Sequence, residues 1–151
     1  MNAGPPRLRL AGDSPRKAYT LDEQVGFLLR KATQRHLAIF SRVIPDLTPP
    51  QFATLAKLAE IGEASQNQLG QSIAMDAATV KGVIDRLKAR GLVELANHGS
   101  DRRRLVVSLT EQGRETVAAL LPLAAAITGE TLAPLTLREA AILRRLLAKL
   151  G

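Results

Sequence analysis

From Leu21 to Leu150 the apolar positions recur at helical spacing in six blocks, interrupted by one short alternating stretch. The first block holds Leu21, Val25, Leu28, Leu29, Ala32, Ile39, Phe40 and Val43, and Pro45 closes it. Thr20 and Glu23 stand at the spacing of a reciprocal N-terminal cap, so this helix is expected to start at Thr20. "DLTPPQF" (46–52) reads as a second start, with Thr48 as cap. Its two prolines sit in the first turn, where a missing N–H is harmless. That helix runs to about Glu60, and Gly62 stops it. Ser65 and Gln68 repeat the capping spacing and open a short helix to about Ile73. Asp76 caps the next, "AATVKGVIDRLKARG", which Gly91 stops. Thr110 caps a long helix to about Leu132, in which Pro122 should cause a kink. Pro134 ends it, and Thr136 with Glu139 opens the last helix, "LREAAILRRLLAKL".

Two short helices across a tight connection are the helix-turn-helix pattern. The second turns Val80, Val83, Ile84 and Leu87 inward and Thr79, Lys81, Gly82, Asp85 and Lys88 outward. Strand-like "LVELA" (92–96) and "LVVSL" (105–109) flank the polar "NHGSDRRR" (97–104), a hairpin directly after that helix. The expected fold is mainly α with a small β-wing, a winged helix-turn-helix with six helices. The last helix is too apolar to stand in water, and no further domain is expected to cover it. An obligate homodimer through the N- and C-terminal helices is the expected solution. The division expected is a flexible basic arm (1–18), dimerisation helices (19–46 and 110–151) and a DNA-binding unit (47–109).

Composition narrows the chemistry. The absence of cysteine excludes disulfides, thiol catalysis and thiol-based redox sensing. Two histidines, His36 and His98, are too far apart for ligand spacing, so no metal and no cofactor are expected. There is no Ser/His/Asp arrangement, carboxylate pair or Gly-rich phosphate loop, which argues against an enzyme. Aromatics at 3% argue against a stacking platform for single strands. No uninterrupted apolar run reaches the roughly 18 residues of a membrane span. A soluble, cytoplasmic protein without a membrane partner is expected. The net charge is +7 and unevenly placed. Arg7, Arg9, Arg16 and Lys17 crowd the N-terminus; Lys81, Arg86, Lys88, Arg90, Arg102, Arg103 and Arg104 crowd the helix and hairpin that would read DNA. Such a basic stripe suits a polyanion.

The outward, N-terminal residues of the second helix would meet base edges in the major groove. Ala77 and Ala78 suit close approach and thymine methyls, Thr79 and Lys81 suit polar contact, and Gly82 leaves room for the backbone. Arg86, Lys88 and Arg90 suit phosphates or the protein core. Ser65, Gln66 and Asn67 open the preceding helix, whose N-terminus can face a phosphate. A basic hairpin tip suits the minor groove, whose negative potential attracts arginine.

"LTPPQFATLAKLAE" (47–60), "AMDAATVKGVIDRLKARGLVE" (74–94) and "SDRRRLVVSLTEQGRE" (100–115) together resemble the MarR family of bacterial transcriptional regulators, over about residues 20–150. The resemblance implies a repressor on a palindromic DNA operator. In its wing motif, Asp101 braces Arg103 in the minor groove, and Arg102 and Arg104 flank it on the backbone. It further implies a small aromatic effector that releases DNA, and the phrases match best the repressors of aromatic-acid catabolism, of hydroxycinnamate or hydroxynicotinate type. An aromatic carboxylate needs a cation and an aromatic wall. Arg30, Lys31, Arg35 and His36 on the first helix, with Phe40 and Phe52, are the candidates. Arg16 and its basic neighbours in the arm would meet the phosphates if the effector were the acid's CoA thioester, such as p-coumaroyl-CoA, or would track DNA. The competing readings are a non-specific architectural DNA-binding protein and a module that binds protein alone.

Overall fold

The computed structural model describes residues 18–98 and 101–151; for His98 and Asp101–Arg103 it describes the backbone alone. The basic arm with Arg16, and the hairpin tip at 99–100, lie outside the described residues.

Six α-helices and three short strands follow in the order α1 (Val25–Val43), α2 (Pro49–Ile61), β1 (Glu63–Ala64), α3 (Gln66–Ser72), α4 (Ala77–Ala89), β2 (Val93–His98), β3 (Asp101–Leu109), α5 (Glu111–Leu132) and α6 (Leu137–Leu150). Five of the helix starts are capped by the residue the sequence marks. Thr48, Ser65, Asp76, Thr110 and Thr136 each accept a hydrogen bond from the backbone N–H three residues on. At Thr48, Ser65 and Thr136 the side chain of Gln51, Gln68 or Glu139 returns the bond to the cap's own N–H.

The first helix departs from expectation. Thr20 does not cap it: its hydroxyl donates to the Ala18 carbonyl, and the Glu23 N–H closes on the Thr20 carbonyl instead. The result is one tight turn, Leu21–Glu23, then a break at extended Gln24, and α1 begins at Val25. A main-chain acceptor took the N–H that the cap required.

The sheet also departs. It has three strands in the order β1-β3-β2, all antiparallel. Glu63 and Ala64 pair with Ser108 and Val107, a two-residue strand too short to leave any periodic signal. The hairpin strands are longer than their apolar runs, and the expected turn over 97–104 shrinks accordingly. Pairing continues through polar residues because backbone hydrogen bonds do not depend on side-chain hydropathy. The apolar pattern ends where the hairpin leaves the core, and the ladder does not.

One buried cluster holds α1, α2, the helix-turn-helix, the sheet and α5 together. It includes Phe40, Ile44, Leu55, Leu58, Leu69, Val80, Ile84, Leu87, Val107, Val117 and Ile127. The inward residues expected of α4 are all in it. α6 contributes little: Ala140 is its one buried residue, while Leu137 is 93% and Leu150 72% exposed. Leu21, Val25, Leu28 and Leu29 at the start of the chain's first helical stretch are exposed as well. Helix α5 continues through Pro122. By length and composition it is the one described helix that could cross a bilayer, which counting uninterrupted runs did not show. Here it starts from the sheet and packs on α1 and α2.

The junction of α4, β2 and α5 is unusually tight. Gly91, at φ 72°, turns the chain out of α4, with its N–H on the Lys88 carbonyl and the Leu92 N–H on Leu87. The Thr110 hydroxyl donates to the Gly91 carbonyl at 2.6 Å, and the Thr110 N–H donates to the Leu92 carbonyl. A Cβ on Gly113 would stand 1.9 Å from that same Leu92 oxygen. Across the helix-turn-helix, Ala74 occupies the equivalent turn position after α3 at φ 55°, with a side chain where glycine is favoured.

These two positions predict opposite responses. Gly113→Ala should lower unfolding stability by about 1–3 kcal/mol, through forced displacement of α5. Ala74→Gly should raise it by about 1 kcal/mol, through relief of the left-handed turn. Chemical denaturation of the two variants checks both signs.

Candidate nucleic-acid interface and effector cavity

Helix α4 presents its first turn to solvent. Ala77, Ala78 and Thr79 are exposed, as are Lys81, Arg86 and Lys88 further along. A Cβ on Gly82 would meet nothing within 4 Å, so no contact within the chain requires glycine there. The cap organises this turn. Asp76 accepts from both the backbone N–H of Thr79 (2.8 Å) and its hydroxyl (2.9 Å). These bonds, backbone first, hold the Asp76 carboxyl below the usual carboxylate range, so the cap is charged at neutral pH. The Thr79 hydroxyl proton is therefore already committed. What the residue offers outward is lone pairs, suited to an amino group on a base edge.

Lys81 is also engaged: its Nζ lies 2.8 Å from an Asp85 carboxylate oxygen, one turn on, with both side chains well exposed. Arg90 donates to the Asp46 carbonyl at 2.6 Å, which ties the end of α4 to the α1–α2 link. Ser65 spends its Oγ on the Gln68 N–H, while Gln66 and Asn67 line a shallow depression of about 250 Å³ with Gln71, Met75 and Ala77. Gly70 forms its floor, and a Cβ there would lie 3.0 Å from Val80 and 3.1 Å from the Met75 carbonyl. Sequence reasoning passed over Gly70. Its signal is a glycine inside a short helix that must press against its neighbour.

In the hairpin, Asn97 pairs with Leu105, but His98 pairs with Asp101. The register skips Arg102, Arg103 and Arg104, so three arginines sit on a bulged backbone next to the tip. The side chain of Arg104 is exposed; those of Asp101, Arg102 and Arg103, and hence the bracing contact, lie outside the described residues.

On the other side of α2, the rings of Phe40 and Phe52 meet edge to face, with centroids 6.1 Å apart at 62°. With His36, Pro49, Ala53, Ala124, Ile127 and Thr128 they line a cavity of about 300 Å³ between α1, α2 and α5. Three of the candidate effector residues, His36, Phe40 and Phe52, come together here. The cations do not join them. Arg30 and Lys31 lie over the Phe27 ring, 5.7 Å and 5.5 Å from its centroid. Arg35 donates to the Glu130 carbonyl at 2.8 Å. At about 100° per residue, positions 30, 31 and 35 fall on other faces of α1 than the i, i+4 pair His36 and Phe40. The α5 wall was not legible as part of a site, since its residues read as core.

Among the described residues no group of acidic, histidine or cysteine side chains could hold a metal ion. An exposed recognition helix followed at once by an arginine-bearing hairpin defines a winged-helix DNA-binding protein. The MarR family model matches residues 46–104. The chain is 43% identical over 134 residues to the HTH-type transcriptional repressor NicR of Pseudomonas putida, covering 87% of this chain and 85% of NicR. A probable transcriptional regulator from Pseudomonas aeruginosa superposes with a TM-score of 0.82 at 48% identity, covering 87% of this chain and 100% of that one. Bordetella bronchiseptica BpsR, whose structure addresses regulation of its DNA binding by 6-hydroxynicotinic acid, superposes with a TM-score of 0.85 at 43% identity, covering 89% and 97%. The chain belongs to the MarR family of transcriptional regulators.

Asp85 sets a carboxylate beside Lys81 on this exposed face and offsets its charge. Asp85→Asn should therefore tighten DNA binding at low salt and steepen the salt dependence by about one counterion. Fluorescence anisotropy on labelled duplex across a salt series measures both.

Proposed function

We propose that the protein is a homodimeric repressor that binds a palindromic operator and is released by a small monocyclic aromatic acid. The observation that carries this reading is the position of the cavity. Its walls are α1 and α5 on one side and α2, the first helix of the DNA-reading unit, on the other. A ligand wedged there would shift α2 against α1 and α5. Residues 47–109 form the reading unit in this proposal, with 19–46 and 110–151 as the dimer helices. The exposed apolar residues of α6 and of the first helical stretch support such an interface.

Ala77, Ala78, Thr79 and Lys81 read bases in the major groove, with Gly82 admitting close approach. Arg86, Lys88, Ser65, Gln66 and Asn67 serve the backbone. Arg103, braced by Asp101, enters the minor groove between Arg102 and Arg104. Two copies place their recognition helices about one DNA turn (~34 Å) apart. A cavity of about 300 Å³ with two phenylalanine walls suits one aromatic ring, which favours the free acid over its CoA thioester. The 6-hydroxynicotinic acid that regulates BpsR is of that size and kind.

A mobility shift on the DNA upstream of the gene tests the reading, with 6-hydroxynicotinate, p-coumarate and p-coumaroyl-CoA as releasing agents. Specific retention of the upstream fragment over random DNA, and release by one of the acids, are expected. Equal affinity for both DNAs would mark an architectural protein instead. Arg103→Ala should abolish the specific shift while size-exclusion chromatography still shows a folded dimer.

A further inference from the structure

The cavity poses a chemical problem for an acid. Its walls are apolar except for His36 and the Thr128 hydroxyl, and none of the α1 cations lines it. Arg35 donates to the Glu130 carbonyl, Arg42 pairs with the Glu130 carboxylate, and Arg30 and Lys31 cover Phe27. An oxygen anion in an apolar slot needs an N–H or O–H donor. The ring of His36 is the one nitrogen-bearing side chain in the lining, and its Nδ1 is already in contact with Thr131 Oγ1 at 3.0 Å. That leaves Nε2 for a ligand.

We propose that Thr131 is a positioning residue for effector recognition. Its hydroxyl donates to His36 Nδ1, which fixes the tautomer in which Nε2 carries the proton and offers it to an acceptor oxygen of the ligand. The inference rests on the reading of this cavity as the effector site. A hydroxyl rotates to donate or accept, and the state of one ring nitrogen is set by the bond the other makes. Thr131 stands on the last turn of α5, beyond the cavity-lining Thr128, so the contact also ties ring orientation to the α1–α5 packing. The ligand class follows: a single aromatic ring carrying a carboxylate or ring oxygen that accepts a hydrogen bond. A ring of equal size without such an acceptor leaves the Nε2–H unpaired and is rejected.

The chain has two histidines, so the imidazole ¹⁵N spectrum of the whole protein contains two sets of signals, assigned with a His98→Gln variant. In the wild type His36 should show an unprotonated Nδ1 and a protonated Nε2. Thr131→Val should mix the tautomers and weaken 6-hydroxynicotinate binding in calorimetry roughly five- to tenfold, with operator affinity in the absence of ligand unchanged. Thr131→Ser should restore both properties. A wild-type His36 protonated at Nδ1, or a Thr131→Val protein that binds as tightly with unchanged ring signals, would overturn the proposal. Failure of the underlying reading looks different: the wild type binds 6-hydroxynicotinate and Phe52→Ala binds it equally well, or the wild type binds neither that acid nor p-coumarate. Either result removes the cavity as effector site, and the proposal with it.

Discussion

The contact on which the architecture depends is the approach of α5 to the Leu92 carbonyl. There the first turn of the long helix α5 sits on the link between α4 and the hairpin, with room for a hydrogen atom at Gly113 and for nothing larger. Thr110 fastens the same spot twice, through its hydroxyl to Gly91 and its N–H to Leu92. Recognition helix, sheet and long helix are thereby set at one mutual angle. Side chains that pack by flexible tips could yield to a small force. A backbone oxygen against a backbone cannot, so movement here is transmitted rather than absorbed.

The cavity lies at the other end of this rigid piece. Phe52 and Ala53 belong to α2, whereas His36, Phe40 and Ile127 belong to α1 and α5. Arg90 adds a strut from the end of α4 to the Asp46 carbonyl between α1 and α2. A change in the α1–α2 angle therefore reaches α4 directly. Polar contacts through Arg35, His36 and Arg42 join α1 to the end of α5. The cavity thus lies between this joined pair and α2.

Much of this was legible in the residues. The caps at Thr48, Ser65, Asp76, Thr110 and Thr136, the stop at Gly91 and the inward face of α4 are local matters: each depends on neighbours within four residues, and the structure agrees with them. Thr20 failed because its cap competed with an equally local main-chain turn, and nothing in the Thr-x-x-Glu pattern decides that contest. The cavity was half legible. Phe40 and Phe52 announced an aromatic pair, but the choice of His36 over Arg35 is a matter of helical phase against a neighbour that the sequence does not name.

By itself, then, the sequence determined the six helices, the hairpin after the second short helix, the basic stripe along that helix and hairpin, and the apolar excess of the last helix. These follow from periodicity, capping and charge, all short-range along the chain. Only the tertiary structure decided that Glu63 and Ala64 add a third strand, that the register skips the three arginines, and that Gly113 lies on Leu92. Each of these joins residues distant in sequence or depends on how strands register. Such pairings are set by which surfaces meet when the core closes, and no spacing along the chain encodes them.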